Sequence, residues 1–245
     1  RVALINQGFA ANQIYVLYGD GADYFSDARP NPIYRPNPAI TNLSATSVNV
    51  QAVFNGLATG TGGYPQMTDD DLLLVWTFDH GCGPICRPGA HVVLCLRDGD
   101  MRDDAFAASV NPVPHAFRVF LMQQCHSGGF LDDLRSDRTV ILTAATAYQH
   151  AHPSAAMTEM DNGVYYNHGE FNAHLLAALN GQTVTGVTAN ADANGNGFLT
   201  LREIFDYIVT NNANSETPQY DDGTLALGGK LHLGFADAYM RDNLT

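Results

Sequence analysis

Three apolar runs dominate the chain, at residues 72–78, 117–122 and 139–145. Each has strand length, and none shows the polar alternation of a half-exposed strand. That is the pattern of strands covered on both faces in a parallel sheet. Helical spacing separates them. Residues 41–57 put Val48, Val50, Val53, Phe54 and Leu57 on one face, with Ser44 or Thr46 available as the N-cap. Residues 103–110 read as a short helix, 130–134 as a helical turn, and 169–179 as an amphipathic helix through Phe171, His174, Leu175, Leu176 and Leu179. Residues 90–96 add a strand that turns at Asp98-Gly99. Buried strands alternating with helices predict an α/β fold: a three-layer α/β/α sandwich around a mostly parallel sheet.

The two ends of the chain read less regularly. Residues 2–5 look like the end of a helix stopped at Gly8, followed by a buried strand at 13–18. A βα unit starts with its strand, so the first strand of the sheet is expected to be missing here, cut away or supplied by a cleaved N-terminal fragment or second chain. Prolines 30, 32, 36 and 38 make 22–43 a loop. Two regions are expected: a core over 1–185 and a C-terminal segment over 186–245 packed on it. In that segment 183–189 reads as extended or looped and 211–222 as a polar loop. A short strand is expected near 230–233 and a helix near 235–240.

Charge narrows the partners. The net charge is −13, with Lys230 the single lysine, and no basic stripe could neutralise phosphates, which argues against nucleic acid. No apolar run is long enough to span a membrane. The acidic balance suits a secreted or extracytoplasmic setting. Cys82 and Cys86, in a Gly/Pro-rich loop, read as a loop disulfide or as free thiols. Cys82, Cys86, Cys95 and His91 match no usual zinc spacing.

The chemistry lies where two of the apolar runs end. Asp79-His80-Gly81 follows one and Gln123-Gln124-Cys125-His126-Ser127-Gly128-Gly129 follows another. Reactive groups of such sheets collect at the carboxyl ends of the strands. An imidazole there can hold a thiol as thiolate for attack on a carbonyl carbon. Glycine after each reactive segment permits close backbone approach, and a helix starting after Cys125 would favour the thiolate. His126 reads as support for the loop, and Asp79 as pointing away from His80.

A histidine before glycine, with a cysteine forty-five residues downstream before a glycine turn, resembles the caspase, metacaspase and legumain-like cysteine peptidases. Cys125-His126-Ser127-Gly128 is similar to the metacaspase segment and Gln123 to the caspase pattern. The run 141–147 (Ile-Leu-Thr-Ala-Ala-Thr-Ala) is similar to legumain. The resemblance spans about residues 10–185. It implies a caspase-like core and a cysteine endopeptidase acting on a peptide or protein substrate. Cys125 would be the nucleophile, His80 the general acid/base, and the N–H groups of Gly81 and Cys125 the oxyanion hole. It also implies substrate contacts at Gln123, Thr143 and Ala144. Metacaspases carry an acid where Gln123 stands, so the P1 preference stays open. The same dyad would serve a transpeptidase or ligase.

A second motif stands apart from the dyad. Residues 192–203 match a calcium-binding loop position by position. Asp192, Asn194, Asn196, Thr200 and Glu203 offer side-chain oxygens, Phe198 its carbonyl, and Gly197 makes the sharp turn. The expected cofactor is structural Ca2+ that staples the C-terminal segment to the core. A rival reading makes the chain a calcium-binding structural or adhesion module on the same scaffold without turnover.

Overall fold

The computed structural model describes residues 1–21, 41–84, 89, 91–161 and 164–233. In chain order its elements are α1 (Val2–Asn6), α2 (Ser47–Thr59), β1 (Leu72–Thr77), β2 (Gly81–Cys82), β3 (Val93–Leu96), β4 (Gly99–Arg102) and α3 (Asp103–Val110). Then follow β5 (Phe117–Met122), α4 (Leu131–Leu134), β6 (Thr139–Thr143), β7 (Pro153–Asp161), β8 (Val164–Gly169), α5 (Glu170–Asn180), α6 (Leu201–Asn211) and β9 (Gln219–Asp221). Short 3-10 turns lie at Ala11–Gln13, Ser127–Phe130 and Leu227–Gly229.

The central sheet runs β1-β5-β6-β9, with the first three strands parallel and β9 antiparallel. Alternation along these strands builds two cores. Leu72, Leu74, Val119, Leu121, Val140 and Leu142 face α5 and α6. Leu73, Val75, Phe120, Met122 and Ile141 face α2, α3 and the turn carrying Phe130. The three-layer sandwich expected from the apolar runs is therefore the fold. Phe120, Leu121, Ile141 and Leu142 are fully buried, each worth about 1.5–3 kcal/mol of transfer free energy.

The helices end where their local chemistry says they should. Thr46 caps α2 by accepting the Asn49 N–H at 3.2 Å, and Gly60 closes the helix in the left-handed region at φ 71°. Thr200 and Glu203 form a reciprocal capping box at the start of α6.

Several expectations are corrected. Residues 13–18 do not form a strand of the sheet: among the described residues only Leu17 makes a bridge, to Leu43. Tyr15 and Leu17 still pack on the α2 side core, so the apolar pattern reported burial rather than a ladder. The loop expected at 211–222 contains β9, which lies against β6. The described part of the C-terminal segment, through residue 233, contributes Leu201, Ile204, Phe205, Ile208, Leu227 and Leu231 to the same core as β5 and β6. The expected strand at 230–233 is a single bridge, Thr200 to His232. The expected helix at 235–240 lies outside the described residues, as do Cys86 and most of the 22–43 loop. No helix of the described residues is long and apolar enough to cross a membrane.

Candidate active site

β1 and β5 run side by side in register from Leu72 opposite Phe117 to Thr77 opposite Met122. Their carboxyl ends are therefore level, and the ladder extends by the Gln123 N–H bonding the Thr77 carbonyl at 3.0 Å. His80 stands three residues past Thr77, and Cys125 three residues past Met122. The Thr77 hydroxyl donates to Gln124 Oε1 at 2.7 Å, tying the two exits together.

The chain then turns into β2, the first strand of a small antiparallel sheet β2-β3-β4. The His80 carbonyl accepts the Cys95 N–H at 3.0 Å, so the histidine sits at the edge of that sheet. Its imidazole is exposed. Asp79 turns its carboxylate onto the His80 backbone N–H at 2.7 Å, which uses one of its oxygens locally. Gly81 lies directly against Cys125: a Cβ on it would collide with the Cys125 carbonyl oxygen and would reach Gln124 Cγ at 3.0 Å. The two motifs found in sequence are in contact through Gly81.

Cys125 is half-buried, and its thiol lies 3.7 Å from the Ala151 carbonyl. After it the backbone makes an unusual turn. His126 takes φ 61°, ψ 16°, in the left-handed region that costs a non-glycine residue roughly 1–2 kcal/mol. Its N–H donates to the Gln149 carbonyl at 2.8 Å, and its carbonyl accepts the Gly129 N–H at 3.0 Å. The following helix is shorter than expected, a 3-10 turn and then the four residues of α4. The helix-end contribution to the thiolate expected from sequence is therefore withdrawn, because so short a helix sums few peptide dipoles.

The expected substrate residues divide. Gln123 is half-buried, packs against Gly169, and accepts the Asn172 side-chain N–H at 3.4 Å; Asn172 in turn accepts from Trp76 Nε1 at 3.0 Å. Thr143 and Ala144 are fully buried, with the Thr143 hydroxyl on the Ala145 carbonyl, so their side chains present no surface to a peptide.

Residues 147–153 wall the cysteine side, and the C-terminal segment pins that wall. Gln149 accepts the Thr217 N–H at 3.1 Å and donates to the Ser215 carbonyl at 3.4 Å; Asn214 donates to the Pro153 carbonyl at 3.2 Å. Glu216 accepts the His152 N–H at 2.5 Å. Burial pushes the Glu216 carboxyl up to about 7, with the nearby Glu170 charge adding to the rise. Burial also opposes ionisation of Glu170, but the Ala213 N–H, Ser154 and His174 outweigh it, and its carboxyl is lowered. Sequence reasoning missed this clamp, because nothing in the spacing links 149–153 to 213–217.

Cys95 and Cys125 are free thiols. Burial, then Asp100, pushes the Cys95 thiol up to about 11. His91 bonds Asp103 at 2.6 Å and lies near Asp104, so it serves the start of α3 rather than a cysteine zinc site.

The 192–203 loop brings its polar residues together. Asp192 Oδ1 accepts the Gly195 N–H and Oδ2 the Gly197 N–H, both at 2.8 Å. Asn194 and Asn196 each accept the N–H two residues on, at 3.0 and 2.8 Å. Glu203 reaches back to Asn194 Nδ2 and to the Thr200 hydroxyl, each at 2.8 Å. The Phe198 ring lies beside His232, with centroids 5.6 Å apart. No helix enters the loop among the described residues; α5 ends at Asn180 and a bridged turn follows.

No curated protein sequence matches the chain. Among solved structures it is similar to protein GSU0716 from Geobacter sulfurreducens, at 17% identity over 74% of this chain and 75% of that one, with a TM-score of 0.48. The model of the peptidase C13 family matches residues 3–227. Over that span lie the parallel strands, the level strand ends and the His80 and Cys125 segments, and the chain belongs to the peptidase C13 family, the legumain family of caspase-like cysteine peptidases.

Proposed function

We propose that the protein is a cysteine endopeptidase that hydrolyses peptide bonds through Cys125 and His80. The observation that carries this is the packing of Gly81 against the Cys125 backbone, with both residues at level strand ends. In the first step the Cys125 thiolate adds to the scissile carbonyl carbon, and the oxyanion takes hydrogen bonds from the N–H groups of Gly81 and Cys125. Protonated His80 gives its proton to the leaving amine as the C–N bond breaks, leaving a thioester on Cys125. Water then attacks the thioester with His80 as base, releasing the acid and restoring the thiol. Gln123 and its Asn172–Trp76 partners support a polar substrate pocket beside the nucleophile.

The test is alkylation by iodoacetamide together with cleavage of a mixed peptide library. Cys125→Ala should abolish both, and His80→Ala should slow both. Cleavage that survives Cys125→Ala would sink the mechanism. Adding a free amine distinguishes hydrolysis from transfer, since transfer would yield peptide amides in place of acids.

Structural Ca2+ in the 192–203 loop belongs to the same proposal. The donor set fits a hard cation: oxygens from Asp192, Asn194, Asn196, Thr200 and Glu203, with the Phe198 carbonyl, and no nitrogen or sulfur. Bound ion would neutralise two carboxylates and tie the loop to α6. Among the described residues β1 stands at the edge of the sheet, which supports a further strand from a cleaved N-terminal fragment or a second chain. A secreted or extracytoplasmic setting would supply calcium at the concentrations that so few charged ligands require.

A further inference from the structure

We propose that His126 is a positioning residue for the dyad: it sets the turn that aims Cys125 and spaces the His80 strand from it, without touching substrate. The inference rests on the peptidase reading above.

His126 is one of two non-glycine residues with left-handed backbone among those described, and it is fully buried. A strained conformation next to a nucleophile persists only where its surroundings over-determine it. Here they do. Besides the two backbone bonds that hold its turn, ring Nδ1–H donates to the Ala147 carbonyl at 2.9 Å, which fixes the tautomer. The ring meets His150 edge-on, with centroids 5.1 Å apart at 87°. Nε2 is buried and has no hydrogen-bond partner among the described residues, so the ring is not serving a polar network on that side.

The other side of the ring explains its size. The chain leaving β2 passes over it at Gly83, where a Cβ would stand 2.5 Å from Nδ1 and 2.7 Å from Cγ. One side chain thus lies between the strand that carries His80 and the 147–150 wall, and it belongs to the residue after the nucleophile. Any change in ring volume moves His80 relative to Cys125. Displacements of that kind reach the rate, because a misplacement of about 1 Å can cost on the order of 100-fold.

Three variants separate the backbone from the ring. His126→Asn tolerates the left-handed turn and keeps an N–H at the δ position toward Ala147. His126→Gly frees the backbone and removes the ring. Gly83→Ala leaves His126 intact but pushes on its ring from the His80 side. The readout is the second-order rate of Cys125 alkylation by iodoacetamide across pH, at temperatures well below each variant's Tm. We expect His126→Gly and Gly83→Ala each to slow alkylation by about 10-fold to 100-fold and to move the pH midpoint of the profile. His126→Asn keeps the turn and the Ala147 bond but loses ring volume, so it should slow alkylation by about 10-fold at most and less than His126→Gly does.

A purely structural role would lower Tm and leave the pH midpoint and the rate below Tm unchanged. That result in either His126→Gly or Gly83→Ala overturns the inference. Failure of the underlying reading looks different: the parent protein itself would show no preferential alkylation at Cys125, or none that depends on His80.

Discussion

The two halves of the proposed dyad are held in opposite ways. The cysteine side is buried and cross-braced: Gln124, His126 and Ser127 are fully buried, and the turn bonds to residues 145–149, which the C-terminal segment clamps in turn. The histidine side is an exposed strand end held by backbone bonds to the small sheet, with no hydrogen bond to its ring among the described residues. A nucleophile must meet a carbonyl along a fixed line, a task that suits a residue braced by the core. An acid/base must reach first a leaving amine and then a water, so freedom at its ring is compatible with the task.

That contrast can be broken most directly at His80. His80→Ala should lower kcat by about 10²- to 10⁴-fold while leaving Tm nearly unchanged, because His80 is exposed. A large fall in Tm would mean that the histidine side is structural after all. Gly81→Ala tests the junction. Its Cβ meets backbone rather than a flexible side chain, so overpacking should cost about 1–3 kcal/mol of stability in urea melts, together with most of the activity.

The clamp on the cysteine side should respond to pH. The Glu216 carboxyl has a folded value near 7, above its ordinary 4.5, so the folded state holds the proton more tightly than the unfolded chain. Stability from this group is fully present below about 4.5 and is lost as pH rises through about 7, an effect of roughly 2–3 kcal/mol for a shift of this size. Urea midpoints for wild type minus Glu216→Gln, measured from pH 4 to 8, should show that fall. A flat difference would mean that the clamp does not titrate.

Calcium removal should act at a distance from both halves. Chelation should lower stability by about 2–3 kcal/mol from a site held near a hundredfold above its Kd, and Glu203→Gln should abolish the response. An unchanged Tm after verified removal of bound cations would end the calcium proposal. The smallest effect belongs to the cap of α2, which packs near β4 on the histidine side. Thr46→Ala should cost about 1 kcal/mol in urea melts and leave the rate of Cys125 alkylation as it was.

Much of the fold was legible because burial on both faces leaves a plain mark. β1, β5 and β6 stand where the apolar runs stood, and α3 covers the expected residues. What failed were elements whose identity depends on a neighbour. Residues 13–18 are as apolar as a strand but found one bridge, while Gln219–Asp221 reads as polar loop and gained a ladder from β6. The β7–β8 hairpin is not among the expected elements, although Asn162-Gly163, a dipeptide favoured in tight hairpins, stands between its strands in the sequence.

The His80 and Cys125 segments stand out in sequence because each follows an apolar run and soon reaches glycine, a local signal. The sequence by itself determined the parallel core, the two strand ends that lead to His80 and Cys125, and the oxygen-rich loop, since all three are written in residue types at short spacing. Only the tertiary structure decided that Gly81 rests on Cys125, that His126 fills the space beneath Gly83, and that residues 213–217 brace the nucleophile wall. Those contacts join segments far apart in the chain, and they follow from excluded volume and hydrogen-bond satisfaction in three dimensions, which no periodicity along one dimension records.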